Sequence, residues 1–305
     1  MMKSLIRWTL LLAVILGGLY WWFAYDGAMP PTAKYTLDMA EVRQAADAMP
    51  GDKPSGIRYE HILSYRFPGA MVVSGDGWGW TEMPVYAYQL LYADRTVIID
   101  TGQDRQTAQP KFVVPFYDDE AWLRLQAALD KTSLVVITHE HMDHIGGLAA
   151  HADTRKLMTK VQLNDMQVAH PERMKPVVWP AGALDGYQPL KYDRVHAVAP
   201  GVVLIKAAGH TPGSQMVYVK MADGKELLFL GDVAWHARNV ETQKERPRFT
   251  TDWIIKEDRL AVFGQLRALH TLAESDPAVL QVPGHDAGVI DTLMRKGVLQ
   301  PRFVN

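Results

Sequence analysis

The chain has 305 residues, 48% of them apolar, a formal net charge of -2 and no cysteine. That length and apolar share can bury the core of one large domain or two small ones. A near-neutral charge without any basic run disfavours a nucleic-acid partner, and the missing thiols exclude disulfides, a cysteine nucleophile and every Cys-containing metal site. A thiol-free chain also suits an oxidising compartment.

Lys3 and Arg7 precede an uncharged run from Trp8 to Tyr25. As a helix this run would span roughly 27 Å, enough for a bilayer core. Basic residues before it and Asp26 after it orient its start toward the cytoplasm. Trp21, Trp22, Phe23 and Tyr25 fall where interfacial aromatics would lie on the far side. Those bulky side chains stand where a cleaved signal peptide needs small ones, so residues 1–28 are expected to remain as a membrane anchor. The expected location is the bacterial inner membrane, single-pass, with the remainder facing the periplasm.

Residues 29–56 read as a linker holding a short helix from Thr36 to Met49, its apolar face made by Leu37, Ala40, Val42, Ala45 and Met49. Pro50 to Gly56 breaks it, and the catalytic domain is placed at 57–305. The Gly-rich segment Ser74 to Trp80, with Trp78, reads as a loop near the site. Val85 to Tyr92 and Thr96 to Asp100 read as a hairpin. Asp118 to Asp130 reads as a helix capped by Asp118 or Asp119, with Trp122, Leu125 and Leu129 on one face. Ser133 to Ile137 is a strand, and His144 to Ala150 starts a helix whose Gly146-Gly147 permits close backbone packing. Further strands are expected at Val202 to Ala207, Gln215 to Val219, Leu227 to Leu230 and Val279 to Val282. A long helix from Lys256 to Ala273 would turn Leu260, Phe263, Leu266, Leu269 and Ala273 inward. Alternation of this kind predicts mixed sheets flanked by helices.

Four candidate ligands, His139, His141, Asp143 and His144, occupy six consecutive positions directly after an apolar strand. Imidazoles and a carboxylate so close together point to a metal ion, with zinc first and manganese, iron or cobalt as alternatives for an O/N donor set. His210, Asp232 and His285 stand alone in turn-like settings, each a few residues past an apolar strand. Strand ends at one sheet edge would gather all seven into one pocket, enough for two ions and hence for hydrolysis. The other six histidines read as surface or core residues. Asp100 suits a turn cap, Glu140 is expected to face solvent, and Asp286 to cap a turn.

The run Thr138-His139-Glu140-His141-Met142-Asp143-His144, with Gly209-His210-Thr211-Pro212-Gly213-Ser214, Gly231-Asp232 and Pro283-Gly284-His285-Asp286, resembles the metallo-β-lactamase superfamily. Within it the chain is most similar to the N-acyl-homoserine-lactone lactonase group. The resemblance extends from about Tyr59 to the end and implies an αβ/βα four-layer sandwich. It implies that His139, His141 and His210 hold one zinc, that Asp143, His144 and His285 hold a second, and that Asp232 bridges them; it also offers Asp100 a supporting place behind the ligands as the alternative to a turn cap. It further implies attack by a metal-bridging hydroxide on an ester-like bond, with Asp143 relaying a proton to the leaving group. The chain departs from the lactonases at Trp235, where they carry a tyrosine; His236 follows. A small acyl-bearing substrate is expected among aromatics such as Trp78, Trp179 and Trp235, with His236 beside them. Competing readings are a glyoxalase II-like thioesterase, a β-lactam hydrolase, a phosphodiesterase, and a tethered binding protein with a vestigial site.

Overall fold

A computed structural model describes residues 2–27 and 30–304. The boundary expected at 28/29 therefore lies outside the described residues. Ten α-helices are described: α1 Met2–Ala24, α2 Met39–Ala48, α3 Gly69–Val72, α4 Asp119–Lys131, α5 Met142–Ala149, α6 Thr154–Met158, α7 Asp165–Ala169, α8 Ala237–Glu241, α9 Arg259–Ser275 and α10 Ala287–Arg295. The strands are β1 Gly56–Pro68, β2 Trp80–Leu91, β3 Thr96–Ile99, β4 Phe116–Tyr117, β5 Leu134–Val136, β6 Val161–Gln162, β7 Val195–Ala199, β8 Val202–Lys206, β9 Gln215–Lys220, β10 Glu226–Gly231, β11 Val279–Pro283 and β12 Leu299–Pro301.

Two sheets form the centre. One runs β12-β1-β2-β3-β5-β6 with β4 paired to β1, and the other runs β11-β10-β9-β8-β7. They face each other through a shared core in which Tyr88, Leu90, Val97 and Ile99 meet Val202, Val217, Leu227 and Phe229. On the outer face of the first sheet, Ile98 and Val135 pack against Leu125 and Leu129 of α4 and Ile145 and Leu148 of α5. On the outer face of the second, Leu228 and Leu230 pack against Val42 of α2 and Val262, Leu266 and Leu269 of α9. The result is a helix–sheet–sheet–helix sandwich. β10 shows why its sequence is nearly all apolar: Leu227 and Phe229 face the other sheet while Leu228 and Leu230 face helices. Each such side chain contributes about 1.5–3 kcal/mol by leaving water.

Local signals set the helix starts. Asp118 is the N-cap of α4, its side chain accepting from the backbone N–H of Ala121. Asp38 caps α2, which begins three residues later than the pattern predicts and buries Ala46 while Ala40 stays exposed. The long C-terminal helix also begins late. Lys256 takes a left-handed conformation (φ 64°) behind a π-helical segment, Phe249–Ile255, and Asp258 caps α9. Leu260 and Ala273 are consequently exposed, and Val262 and Leu272 take the inward places expected of them. Strands β1, β7 and β12 were not expected, although β1 alternates apolar and polar residues from Ile57 to Glu60 and again from Leu63 to Phe67, on either side of a register shift; all three pair into the sheets, to β2, β8 and β1.

α1 is long and apolar enough to cross a membrane, with a mean hydropathy of 1.6 and none of that window buried against the domain. At about 1.5 Å per residue, its 23 residues extend roughly 34 Å. Near its C-terminal end, Tyr20, Trp22 and Phe23 touch the domain.

Candidate metal centre

The sheet order explains how distant residues meet. β3 and β5 run parallel in the first sheet. In the second, β10 and β11 run parallel, and β8 shares their direction because both β8 and β10 pair antiparallel with β9. Asp100, His139, His210, Asp232 and His285 each follow the end of one of these strands within four residues. Met142 opens α5, placing Asp143 and His144 in its first turn.

All seven predicted ligands converge. Ligand atoms of His139, His141, His210 and Asp232 lie within 4.8 Å of one another, as do those of His144, Asp232 and His285, and those of His139, Asp143 and His144. Nδ1 of His141 faces Nε2 of His139 at 3.1 Å and Nε2 of His210 at 2.9 Å. Asp232 stands between the two groups. Its Oδ2 is 3.3 Å from His210 and 3.6 Å from His139, while its Oδ1 is 3.1 Å from His285 and 3.4 Å from His144. Asp143 Oδ2 lies 3.7 Å from both His144 and His285.

Three of the rings are fixed from behind. Nδ1 of His144 donates to Asp100 Oδ2 at 2.8 Å, and Asp100 also accepts from the backbone N–H and hydroxyl of Thr138. Asp100 thus holds the ring of a candidate ligand rather than merely capping a turn, and it does so at φ 58°, a conformation few non-glycine residues hold without tertiary support. Nδ1 of His210 bonds Glu257 Oε1 at 2.5 Å, and Nδ1 of His285 bonds the carbonyl of Pro84 at 3.0 Å. With Nδ1 carrying the proton, Nε2 of each ring presents its lone pair to the cluster.

Three further residues hold the pieces together. Glu140 is fully buried, not solvent-facing. It accepts from the hydroxyl of Thr211 at 2.7 Å and the N–H of Gly213 at 3.1 Å, tying the His139–His141 loop to the His210 loop. Arg246, also buried, contacts Glu257 at 2.6 Å, donates to the carbonyl of Asp232 and lies 4.8 Å over the ring of Trp235. Trp235 in turn donates its indole N–H to Asp232 Oδ2 at 2.7 Å. Glu257 and Arg246 carry no sequence signal of their own; only the turn before the capping Asp258 hints that position 257 is set apart. Gly284 is required by proximity, since a Cβ there would sit 2.4 Å from Asp232 Oδ1. Gly147 fits the close packing expected of it, a Cβ falling 2.2 Å from the Thr101 carbonyl.

Burial and the neighbouring imidazoles hold His139 and His141 well below the usual histidine range. Burial lowers His144, His210 and His285, but the nearby carboxylates outweigh it and raise all three above the usual histidine range. Burial pushes the Asp232 carboxyl up, but His285, His139, His144 and His210 outweigh it and hold the group well below the carboxylate range. Nε2 of His144 and Oδ1 of Asp232 are buried without a hydrogen-bond partner. Nitrogen lone pairs about 3 Å apart beside an unpartnered carboxylate oxygen repel one another unless a proton or metal ion lies between them. A His/Asp donor set of this kind fits zinc and related divalent ions.

A cavity of about 610 Å³ opens onto the cluster, lined by His141, Asp143, Asp232 and His285 and walled by Tyr65, Phe67, Met83, Val113, Trp235 and Ile255. Tyr65 supplies a phenol to this wall, and its hydroxyl donates to Gln103. Of the expected substrate residues, Trp235 lines the cavity. Among the described residues the other three do not. Trp78 packs on Tyr20 of α1, Trp179 donates to the sulfur of Met174, and His236 caps α8 beside Asp286. Large aromatics build core and surface contacts as readily as pockets, and sequence position does not separate these uses. Asp286, expected to cap a turn, is the N-cap of α10.

A helix–sheet–sheet–helix sandwich with histidines and aspartates converging at the strand ends defines a metal-centred α/β protein. The chain belongs to the metallo-β-lactamase superfamily, whose model matches residues 80–285. Transcription termination factor FttA of Methanothermobacter thermautotrophicus is 28% identical over 198 residues, which cover 57% of this chain but only 29% of the factor. N-acyl homoserine lactonase AiiA of Bacillus thuringiensis subsp. kurstaki is 22% identical over 177 residues, 53% of this chain and 68% of the lactonase. A solved N-acyl homoserine lactone hydrolase, with N-hexanoyl-L-homoserine at its catalytic metal centre, superposes with a TM-score of 0.61 at 16% identity, covering 79% of this chain and 96% of that one. AidC, a dizinc quorum-quenching lactonase, gives 0.52 at 15% identity, covering 78% and 92%.

Proposed function

We propose that the chain is a dizinc hydrolase of an ester-like bond, a lactone or carboxylic ester ahead of a thioester or β-lactam. The observation that carries this is Asp232, which stands between His139 and His210 on one side and His144 and His285 on the other, with His285 within reach of both its oxygens. In this reading His139, His141 and His210 hold one ion, Asp143, His144 and His285 the other, and Asp232 both. When bound, such a pair supplies Lewis acidity toward a carbonyl oxygen and activates water near neutral pH.

The protein's own contribution is positional. Asp100 and Glu257 keep protons on Nδ1 of His144 and His210, leaving Nε2 available in the cluster. The N–H of Trp235 fixes one oxygen of Asp232 and leaves the other without a donor. Asp143 lines the cavity, where its carboxylate can take a proton from the attacking water and return it to a departing alkoxide oxygen. Apolar walls at Phe67, Val113 and Ile255 favour an acyl chain over a sugar or nucleotide. The likeness to acyl-homoserine lactonases agrees with that preference.

The same reading keeps α1 as an uncleaved anchor in a bacterial inner membrane, with the domain on the periplasmic side. Its support is the length and exposure of α1 and the placement of Lys3 and Arg7 before the apolar run.

The test is metal analysis of the full chain in detergent, followed by hydrolysis of a matched lactone, ester, thioester and β-lactam panel. Two ions per chain with lactone or ester turnover are expected, and Asp232→Ala should abolish both paired occupancy and turnover. Paired ions without turnover of any acyl compound would redirect the assignment to phosphoesters. Full activity in Asp232→Ala would overturn the bridging role.

A further inference from the structure

Several of the domain's exposed large apolar side chains gather around the cavity mouth and the end of α1. Trp80 is 65% exposed, Phe112 74% and Trp253 65%. The segments that carry them are joined to one another and to α1. Trp78 stacks on Tyr20 and donates its indole N–H to the tyrosine hydroxyl at 2.6 Å. Trp253 meets the ring of Phe23 at 5.7 Å. Arg248 lies 4.9 Å over Trp22 and binds Asp26 at 3.0 Å.

The same segments form the rim of the metal-site cavity. Ile254, Ile255 and Lys256, directly after Trp253, line one wall. On the other, Val113 follows Phe112 and Phe67 pairs across β1 and β2 with Thr81, next to Trp80. Arg66 knits that side together, its N–H donating to the Val113 carbonyl and its guanidinium lying 4.8 Å over Trp80. The cavity therefore opens on the face from which the apolar helix departs.

We propose that this rim is a membrane-docking surface, and that the cavity takes an amphiphilic acyl substrate directly from the bilayer. The proposal rests on the hydrolytic reading for its chemistry and on α1 for its geometry. Water-exposed tryptophan and phenylalanine beside an apolar helix are disfavoured in a free monomer but match the amphipathic headgroup layer. Lys111 and Lys256, both exposed, flank Phe112 and Ile255 and suit lipid phosphates at that depth. A bilayer, unlike a second protein copy, is already brought to this surface by α1.

The lack of native cysteine permits a clean test. The full chain is placed in phosphatidylcholine/phosphatidylglycerol nanodiscs and spin-labelled singly at Leu12→Cys, Trp80→Cys, Phe112→Cys, Trp253→Cys and, as a control on the remote β9–β10 turn, Asp223→Cys. Relative collision with oxygen and with a polar nickel complex reads depth. Labels at 12, 80, 112 and 253 should favour oxygen and the label at 223 nickel. Aqueous readings at 80 and 253 with a buried label at 12 would overturn the docking, as would spin–spin coupling between copies or an aqueous label at 12. In a second measurement, Trp80→Ser/Trp253→Ser should lower kcat/KM on a dodecanoyl ester in the discs by about tenfold while a soluble butanoyl ester changes by less than about twofold. Equal losses on both would refute uptake from the bilayer. Immersed labels with no turnover of either ester would sustain the docking surface and remove the hydrolytic reading instead.

Discussion

Glu257 Oε1 lies 2.5 Å from Nδ1 of His210, and the far nitrogen of that ring faces His141 at 2.9 Å. A carboxylate far along the chain thereby fixes the tautomer and aim of a predicted ligand, with Arg246 holding Glu257 in turn. Glu257→Gln keeps the shape but loses the charge that favours the Nδ1–H tautomer. On the proposed two-ion reading, affinity for the ion held by His210 should fall by roughly 10–100-fold. Chelator competition on the purified chain measures it, and an unchanged affinity for both ions would remove Glu257 from the site.

Asp100 offers the parallel case on the other set of histidines. It accepts three donors at once, the N–H and hydroxyl of Thr138 and Nδ1 of His144. Asparagine tolerates the left-handed backbone but turns an NH₂ toward one of those donors. Asp100→Asn should weaken the ion held near His144 and His285 by about 10–100-fold and leave the other near its original affinity. Two-site titration separates the two; parallel weakening of both would show that the sites are not independently supported.

Gly284 packs against Asp232 with no room for a methyl group. Its Cβ would approach Asp232 Oδ1 to 2.4 Å and the Gly231 carbonyl to 3.0 Å. Gly284→Ala should cost about 1–3 kcal/mol of stability through overpacking and also displace the carboxylate that joins the two sets. Denaturant unfolding and metal stoichiometry on the same preparation report the two effects, and a stable variant with both ions would contradict the packing.

Glu245 gives a pH dependence. Burial pushes its carboxyl up to about 8, against the pull of Arg259, with Glu257 raising it further and Arg246 opposing. Its ordinary value is 4.5, so between that and 8 the folded state keeps a proton the unfolded chain has released. Stability therefore declines as pH rises through this window, and the loss is complete above it. The slope for one group is about 1.4 kcal/mol per pH unit. Between roughly pH 6 and pH 8 the wild-type chain should lose on the order of 2–3 kcal/mol more than Glu245→Gln. Identical pH profiles would show that Glu245 is ionised throughout.

The sequence by itself determined the metal-ligand candidates and the frame that carries them. His139 to His144 could be read because imidazole and carboxylate crowded behind an apolar strand admit few other uses. His210, Asp232 and His285 could be read because strand ends place side chains at a sheet edge. The caps Asp118 and Asp286 could also be read, because an N-cap works within three residues. Tertiary structure alone decided what stands behind those ligands. Glu140, Asp100, Glu257 and Arg246 act through contacts with residues distant in sequence, and such pairing leaves no local periodicity. The same limit explains Leu260, which shares the apolar composition of the inward face yet points outward once Asp258 sets the start of α9. It also explains Trp78 and Trp179, whose rings found neighbours outside the cavity. Short-range chemistry fixes which atoms can bind and which turns can form; only the closed sandwich fixes which charges face each other away from water.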